Sequence, residues 1–78
     1  MPTIARIGPY RFFFFSNEGE EPPYVHVQRD AGVAKFWLDP VALSSAQRMG
    51  ARELRRLHLI VSDRRDEFRN AWDDFFRP

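Results

Sequence analysis

A wholly aromatic run of four residues, Phe12 to Phe15, leaves few folds open to this chain. It is too short for a buried helix and has no polar side, so it reads as a strand covered on both faces. After the loop Ser16 to Pro23 comes Tyr24-Val25-His26-Val27-Gln28, which alternates with period two. That stretch is a strand with one apolar and one polar face, and His26 falls on the polar one. The loop itself is acidic, with Glu18, Glu20 and Glu21 ahead of Pro22-Pro23. It is longer than a tight hairpin needs, and loops of that kind carry either mobility or function.

The flanking residues extend the pattern. Thr3 to Ile7 alternates weakly as a short first strand, Gly8-Pro9 is a turn, and Arg11 to Phe15 is the second strand. Tyr24 to Arg29 is the third, Asp30-Ala31-Gly32 turns the chain, and Val33 to Leu38 is the fourth. The register of this last pair follows from its faces. An even-numbered loop groups Val25 and Val27 with Ala34, Phe36 and Leu38, leaving Tyr24, His26, Gln28, Lys35 and Trp37 opposite. A one-residue slip mixes the two sets, so the even register is expected, with Phe36 in the core and Lys35→Ala nearly silent for stability. Asp39-Pro40 ends the fourth strand. Val41 to Leu43 reads as a brief fifth strand and Ser44 to Gly50 as a connector.

From Ala51 the apolar spacing changes from two to about 3.6. Leu54, Leu57, Val61, Phe68, Trp72 and Phe75 share a stripe, with Ile60, Ala71 and Phe76 on its margin. No Gly or Pro interrupts Ala51 to Arg77, so the spacing predicts one helix of roughly 40 Å. Arg64 and Arg65 occupy the stripe where an apolar residue is due, which is where a break is expected if there is one. Gly50 is the candidate N-cap, with Glu53 near the helix dipole. The predicted architecture is α+β, β-β-β-β-(β)-α: a small antiparallel sheet of four or five strands with one long C-terminal helix on one face. A chain of 78 residues predicts a single domain, residues 1–78.

Such a helix outruns strands of five or six residues, which span ~17–20 Å. Its far end carries Trp72, Phe75 and Phe76; folding back through a break near Arg64-Arg65 is one way to cover them, but the uninterrupted helical composition favours pairing, so these three are the predicted interface with a second copy or a small protein partner. There is no cysteine to staple a small core. Its absence also removes thiolate metal sites and fits a reducing compartment, so the cytoplasm is expected. Nothing reaches the length of a membrane span or a signal peptide. With 12 basic and 11 acidic residues the net charge is +1, so no global field draws the chain to nucleic acid. The helix arginines alternate with acids, which predicts a salt-bridged solvated face.

The strings MPTI, RFFFFSNEGEEPP, the VHV after them, AKFWLDPV, and ELRRL leading to AW resemble a family of small bacterial proteins known as domain of unknown function 4160. The resemblance covers nearly the whole chain. It implies no established activity. It does imply partnership in two-gene modules resembling toxin–antitoxin pairs. In that family the stretch after the prolines commonly reads His-x-His; here Tyr24 stands at the first position and His26 at the second. That departure argues against metal chelation, and neither a metal nor a cofactor is expected.

The best constellation for chemistry is His26 with Tyr24, Lys35 and Arg11. Cross-strand neighbours lie within ~4.5–5.5 Å at Cβ, so His26 can meet Lys35. In a functional reading His26 is a general acid or base, Lys35 and Arg11 hold phosphate, and Tyr24 or Trp37 stacks a base, as in a metal-independent ribonuclease. Glu18, Glu20 and Glu21 are the candidate binding carboxylates beside it. The plainer reading, an ordinary solvated face with His26 bonded to a loop carboxylate, is preferred. His58 is read as a boundary residue of the helix. Three functions therefore compete: an interaction module of a two-gene system, a ribonuclease-like toxin for which RNA is the substrate, and a homodimeric structural protein.

Overall fold

Short turns at Gly8-Pro9, Asp30-Ala31 and Asp39-Pro40 make three of the four strand connections of the sheet. In a computed structural model that describes residues 3–15 and 20–76, the strands are β1 (Thr3–Ile7), β2 (Tyr10–Phe13), β3 (Tyr24–Arg29), β4 (Gly32–Leu38) and β5 (Val41–Gln47), followed by helices α1 (Ala51–Asp63) and α2 (Arg65–Phe76). The strands form an antiparallel meander in the order β1-β2-β3-β4-β5. Gly8 opens the first turn at φ 57°, a conformation glycine adopts without a Cβ penalty. Asp30 opens the β3–β4 turn at φ 52°, and that two-residue loop gives the even register. Val25 faces Phe36, Val27 faces Ala34, and His26 faces Lys35, as the alternation predicts.

The helix face of the sheet holds the main core. Phe12, Val25, Val27, Ala34, Phe36 and Leu38 meet Leu57, Val61 and Phe68. The phenylalanine run divides by parity. Phe12 packs on Phe68 with ring centroids 5.1 Å apart, and Phe14 packs on Trp72 at 5.4 Å. Phe13 goes to the opposite face and is still buried, under Arg11 and beside the His26 ring. Both faces of the run are thus covered, although its last two residues lie beyond the end of β2.

Two expectations about elements are corrected. The fifth strand is seven residues long and takes in most of the expected connector. Ser44 and Ser45 conceal it because β5, among the described residues, has a neighbour on one side only and carries a register irregularity opposite Lys35 and Phe36. The long helix is two helices. Arg64 ends α1 at φ −107°, ψ 18°, outside helical geometry, while its N–H still bonds to the Ile60 carbonyl and its carbonyl accepts from Phe68 N–H. Arg65, the first residue of α2, is tied to the end of β4 beside this interruption. Its Nε donates to the Leu38 carbonyl at 2.9 Å and its Nη2 to Asp39 Oδ1 at 2.8 Å. Arg69 reaches the other oxygen, Asp39 Oδ2, at 2.8 Å. The two guanidiniums hold the Asp39 carboxyl below the usual carboxylate range, the Arg65 hydrogen bond being the larger cause. A straight helix over Ala51–Phe76 would be about 40 Å long. The described chain extends 35 Å along its longest principal axis, and Phe68 and Trp72 of α2 are buried.

The helix end expected as an interface is partly covered by the chain itself. Trp72 is 1% exposed, and it forms a second buried cluster with Phe14 and Tyr24 that Phe76 flanks. Only Phe75, at 43%, stays substantially open among the three residues. Residues of the chain itself do most of the covering that a partner was expected to do.

Candidate functional site

On the face away from the helices, β2, β3 and β4 bring Arg11, His26 and Lys35 together by register. Arg11 pairs with Gln28 and Phe13 with His26 across β2–β3, while His26 pairs with Lys35 across β3–β4. Each cation has internal partners. Lys35 Nζ bonds to Glu21 Oε1 at 2.8 Å and sits 4.5 Å from the ring centroids of both Tyr24 and Trp37. The Arg11 guanidinium lies 4.2 Å over Phe13, and it donates to Gln28 Oε1 at 2.8 Å and Thr3 Oγ1 at 3.2 Å. His26 is set among rings: Phe13 stacked at 5.3 Å, Phe15 edge-on at 4.9 Å and Tyr24 edge-on at 4.9 Å. Cation–π and ring contacts of this kind stabilise a sheet face.

Of the acidic loop residues, Glu21 joins this group, Glu20 is exposed, and Glu18 lies outside the described residues. Tyr24 departs most from expectation. The alternation puts it on the solvated face, yet it is fully buried. It opens β3, where α2 passes the end of the sheet. Trp72 meets its ring at 4.7 Å, and its hydroxyl accepts the Phe15 N–H at 3.2 Å. Trp37 is half-buried against the same cluster.

A different place is built on the other face, at the β5 side of the sheet. The register that places Phe36 opposite Leu43 sets both beneath the start of α1. Phe36, Leu43, Ala51, Leu54, Arg55 and His58 line an open cavity of about 300 Å³, almost wholly apolar. His58, expected as a boundary residue, meets Phe36 edge-on at 6.2 Å in this wall. The first turn of α1 is fixed by Glu53. Arg29 holds its carboxylate through two hydrogen bonds, from Nε and from Nη2, and Tyr10 donates its hydroxyl to it at 2.7 Å. These bonds, that from Arg29 foremost, lower the Glu53 carboxyl to about 2. The Glu53 hydrogen bond, with burial second, raises the Tyr10 phenol.

Sequence reasoning assigned Glu53 only to the helix dipole and did not assign the cavity. The signal available was Leu43, a large apolar residue in a segment otherwise small and polar. Leu43 is 44% exposed, so apolar surface remains open at this wall.

Among the described residues no helix is long and apolar enough to cross a membrane. Comparison with curated proteins and comparison with solved structures each return no match. Comparison with protein families matches residues 10–73 to a domain of unknown function, DUF4160. That span runs from the first residue of β2 into the last turns of α2 and takes in both places described above. The chain therefore belongs to the family of domain of unknown function 4160.

Proposed function

We propose that this chain is a protein-interaction module, the cytoplasmic half of a two-gene system of the toxin–antitoxin kind, and that it binds through the β5 side of its sheet. The observation that supports this most is the strand itself. β5 is seven residues long, pairs among the described residues only with β4, and between Val41 and Gln47 contains neither a charge nor a proline. Edge strands of soluble proteins are ordinarily shielded by such residues, because bare N–H and C=O groups invite another strand. The opposite edge, β1, is shorter and carries Arg6. The two-gene context rests on what the family resemblance implies, since the matched family is one of unknown function.

Co-expression with the small protein encoded beside this chain tests the reading. A stable complex, with no growth arrest when this chain is expressed alone, is the expected outcome. Growth arrest relieved by His26→Ala would instead favour the alternative, a metal-independent ribonuclease working from the His26 face. That alternative has less support, because Lys35 and Arg11, the cations it needs for phosphate, already have partners. A homodimer is the third outcome, read by sedimentation of the isolated chain.

A further inference from the structure

We infer that the β5–α1 rim receives an extended acidic segment of the partner protein, which pairs along β5 as a sixth strand and seats one large apolar side chain in the cavity. This rests on the interaction-module reading and adds the chemistry of the partner to it.

Geometry supplies the first argument. A strand added to an edge lies ~4.7–4.9 Å from it and turns every second side chain to the same face. Leu43 on β5 is itself a wall of the cavity, so such a strand carries alternate side chains across the cavity mouth. At about 300 Å³, lined by Phe36, Leu43, Ala51 and Leu54, the cavity has room for one apolar anchor.

Charge supplies the second. Arg48, Arg52, Arg55 and Arg56 lie within nine residues of chain, and the acid among them, Glu53, is taken by Arg29 and Tyr10. Among the described residues none of these four arginines makes an ion pair, and of the four only Arg56 acts on Glu53 through its charge, which leaves Arg48, Arg52 and Arg55 unmatched. On α2, by contrast, Arg65 and Arg69 are matched by Asp39, Asp66 and Asp73. Arg55 lines the cavity, Arg52 lies one turn before it on α1, and Arg48 directly follows the last residue of β5. Unmatched guanidiniums beside an open edge repel a basic strand and offer bidentate contacts to carboxylates. They therefore choose among the strands that the bare edge would otherwise accept.

The test is selection of random eight-residue peptides, displayed as a library, on the immobilised full chain. It is repeated on Leu43→Lys and on the double variant Arg52→Glu/Arg55→Glu, each confirmed as folded by its thermal melt. The expected consensus is acidic with a single large apolar position. Its synthetic peptide should bind each variant about tenfold or more weakly, a loss of ~1.4 kcal/mol, and bind the native chain less well in high salt. No enrichment, a basic consensus, or peptides indifferent to both variants would overturn the inference. So would self-association of the chain abolished by Leu43→Lys, or retention of a random RNA pool by the same arginines in place of peptide. The two levels of the argument fail separately. A co-expressed complex that survives both variants removes the acidic strand and keeps the module, whereas no complex with the neighbour-encoded protein removes the module.

Discussion

Glu53 shows what a single residue decides in this fold. Its carboxylate binds Arg29 from the end of β3 and Tyr10 from the start of β2, so one side chain fixes the entry of α1 to two strands. Tyr10→Phe deletes one hydrogen bond to a charged acceptor and should cost ~1.5–3 kcal/mol in urea unfolding. In a Glu53→Gln background the same change should cost clearly less, because the two residues act as a pair. Equal costs in both backgrounds would show that the hydroxyl works elsewhere. His26 illustrates the opposite case. It is held by ring contacts with Phe13, Phe15 and Tyr24, each worth ~0.5–1.5 kcal/mol. His26→Gln should therefore lower stability by ~1–2 kcal/mol, and a melting temperature left unchanged would contradict that account. Neither environment was legible from local sequence. Alternation assigns a residue to a face, but it does not say what reaches that face from distant parts of the chain. Tyr24 was misplaced for this reason, since Trp72 covers it from 48 residues away.

Among the elements, the register of β3 with β4 was readable because one-residue slips are punished on both faces at once. Phe36→Ala should cost ~3–5 kcal/mol as a core truncation. Lys35→Ala, which the sequence reading expects to be nearly silent, gives up Glu21 and two aromatic faces in this structure, and a loss of ~1–2 kcal/mol is the expected outcome. The length of β5 was not readable, since serines on an edge strand hide the period. The division of the last helix was half legible. Arg64 and Arg65 marked the place, but the bonds that tie Arg65 to Leu38 and Asp39 are tertiary, and helical periodicity does not carry them. The docked α2 makes two further expectations. Trp72→Ala should cost ~3–5 kcal/mol and Phe75→Ala about 1 kcal/mol or less, measured by denaturant unfolding. Arg65→Ala should speed amide exchange in α2 more than in α1. Uniform change across both helices would mean that the bend does not depend on this arginine.

At the scale of the whole molecule, acid should weaken the fold in a defined window. The Glu53 carboxyl lies near 2 against an ordinary value of 4.5, and Asp39 is depressed from 3.8. A carboxyl depressed in the folded state contributes stability that is complete above its unfolded value and is lost as pH falls through its folded value. The urea midpoint should thus be level above about pH 5 and decline between about pH 4.5 and 2, with Glu53→Gln flattening part of the decline. A native midpoint that stays level down to pH 2 would contradict the two clusters.

The molecule buries eight of its twelve aromatic residues and sets Arg48, Arg52 and Arg55 beside its bare β5 edge. Amide hydrogen exchange of the chain, free and in complex with the co-expressed neighbour-encoded protein, tests that assignment most directly. The expected result is new protection concentrated in Val41–Gln47 and in α1 from Ala51 to Leu59. Protection centred instead on the tip of α2 at Phe75 and Phe76, or on His26 and Lys35, would contradict it.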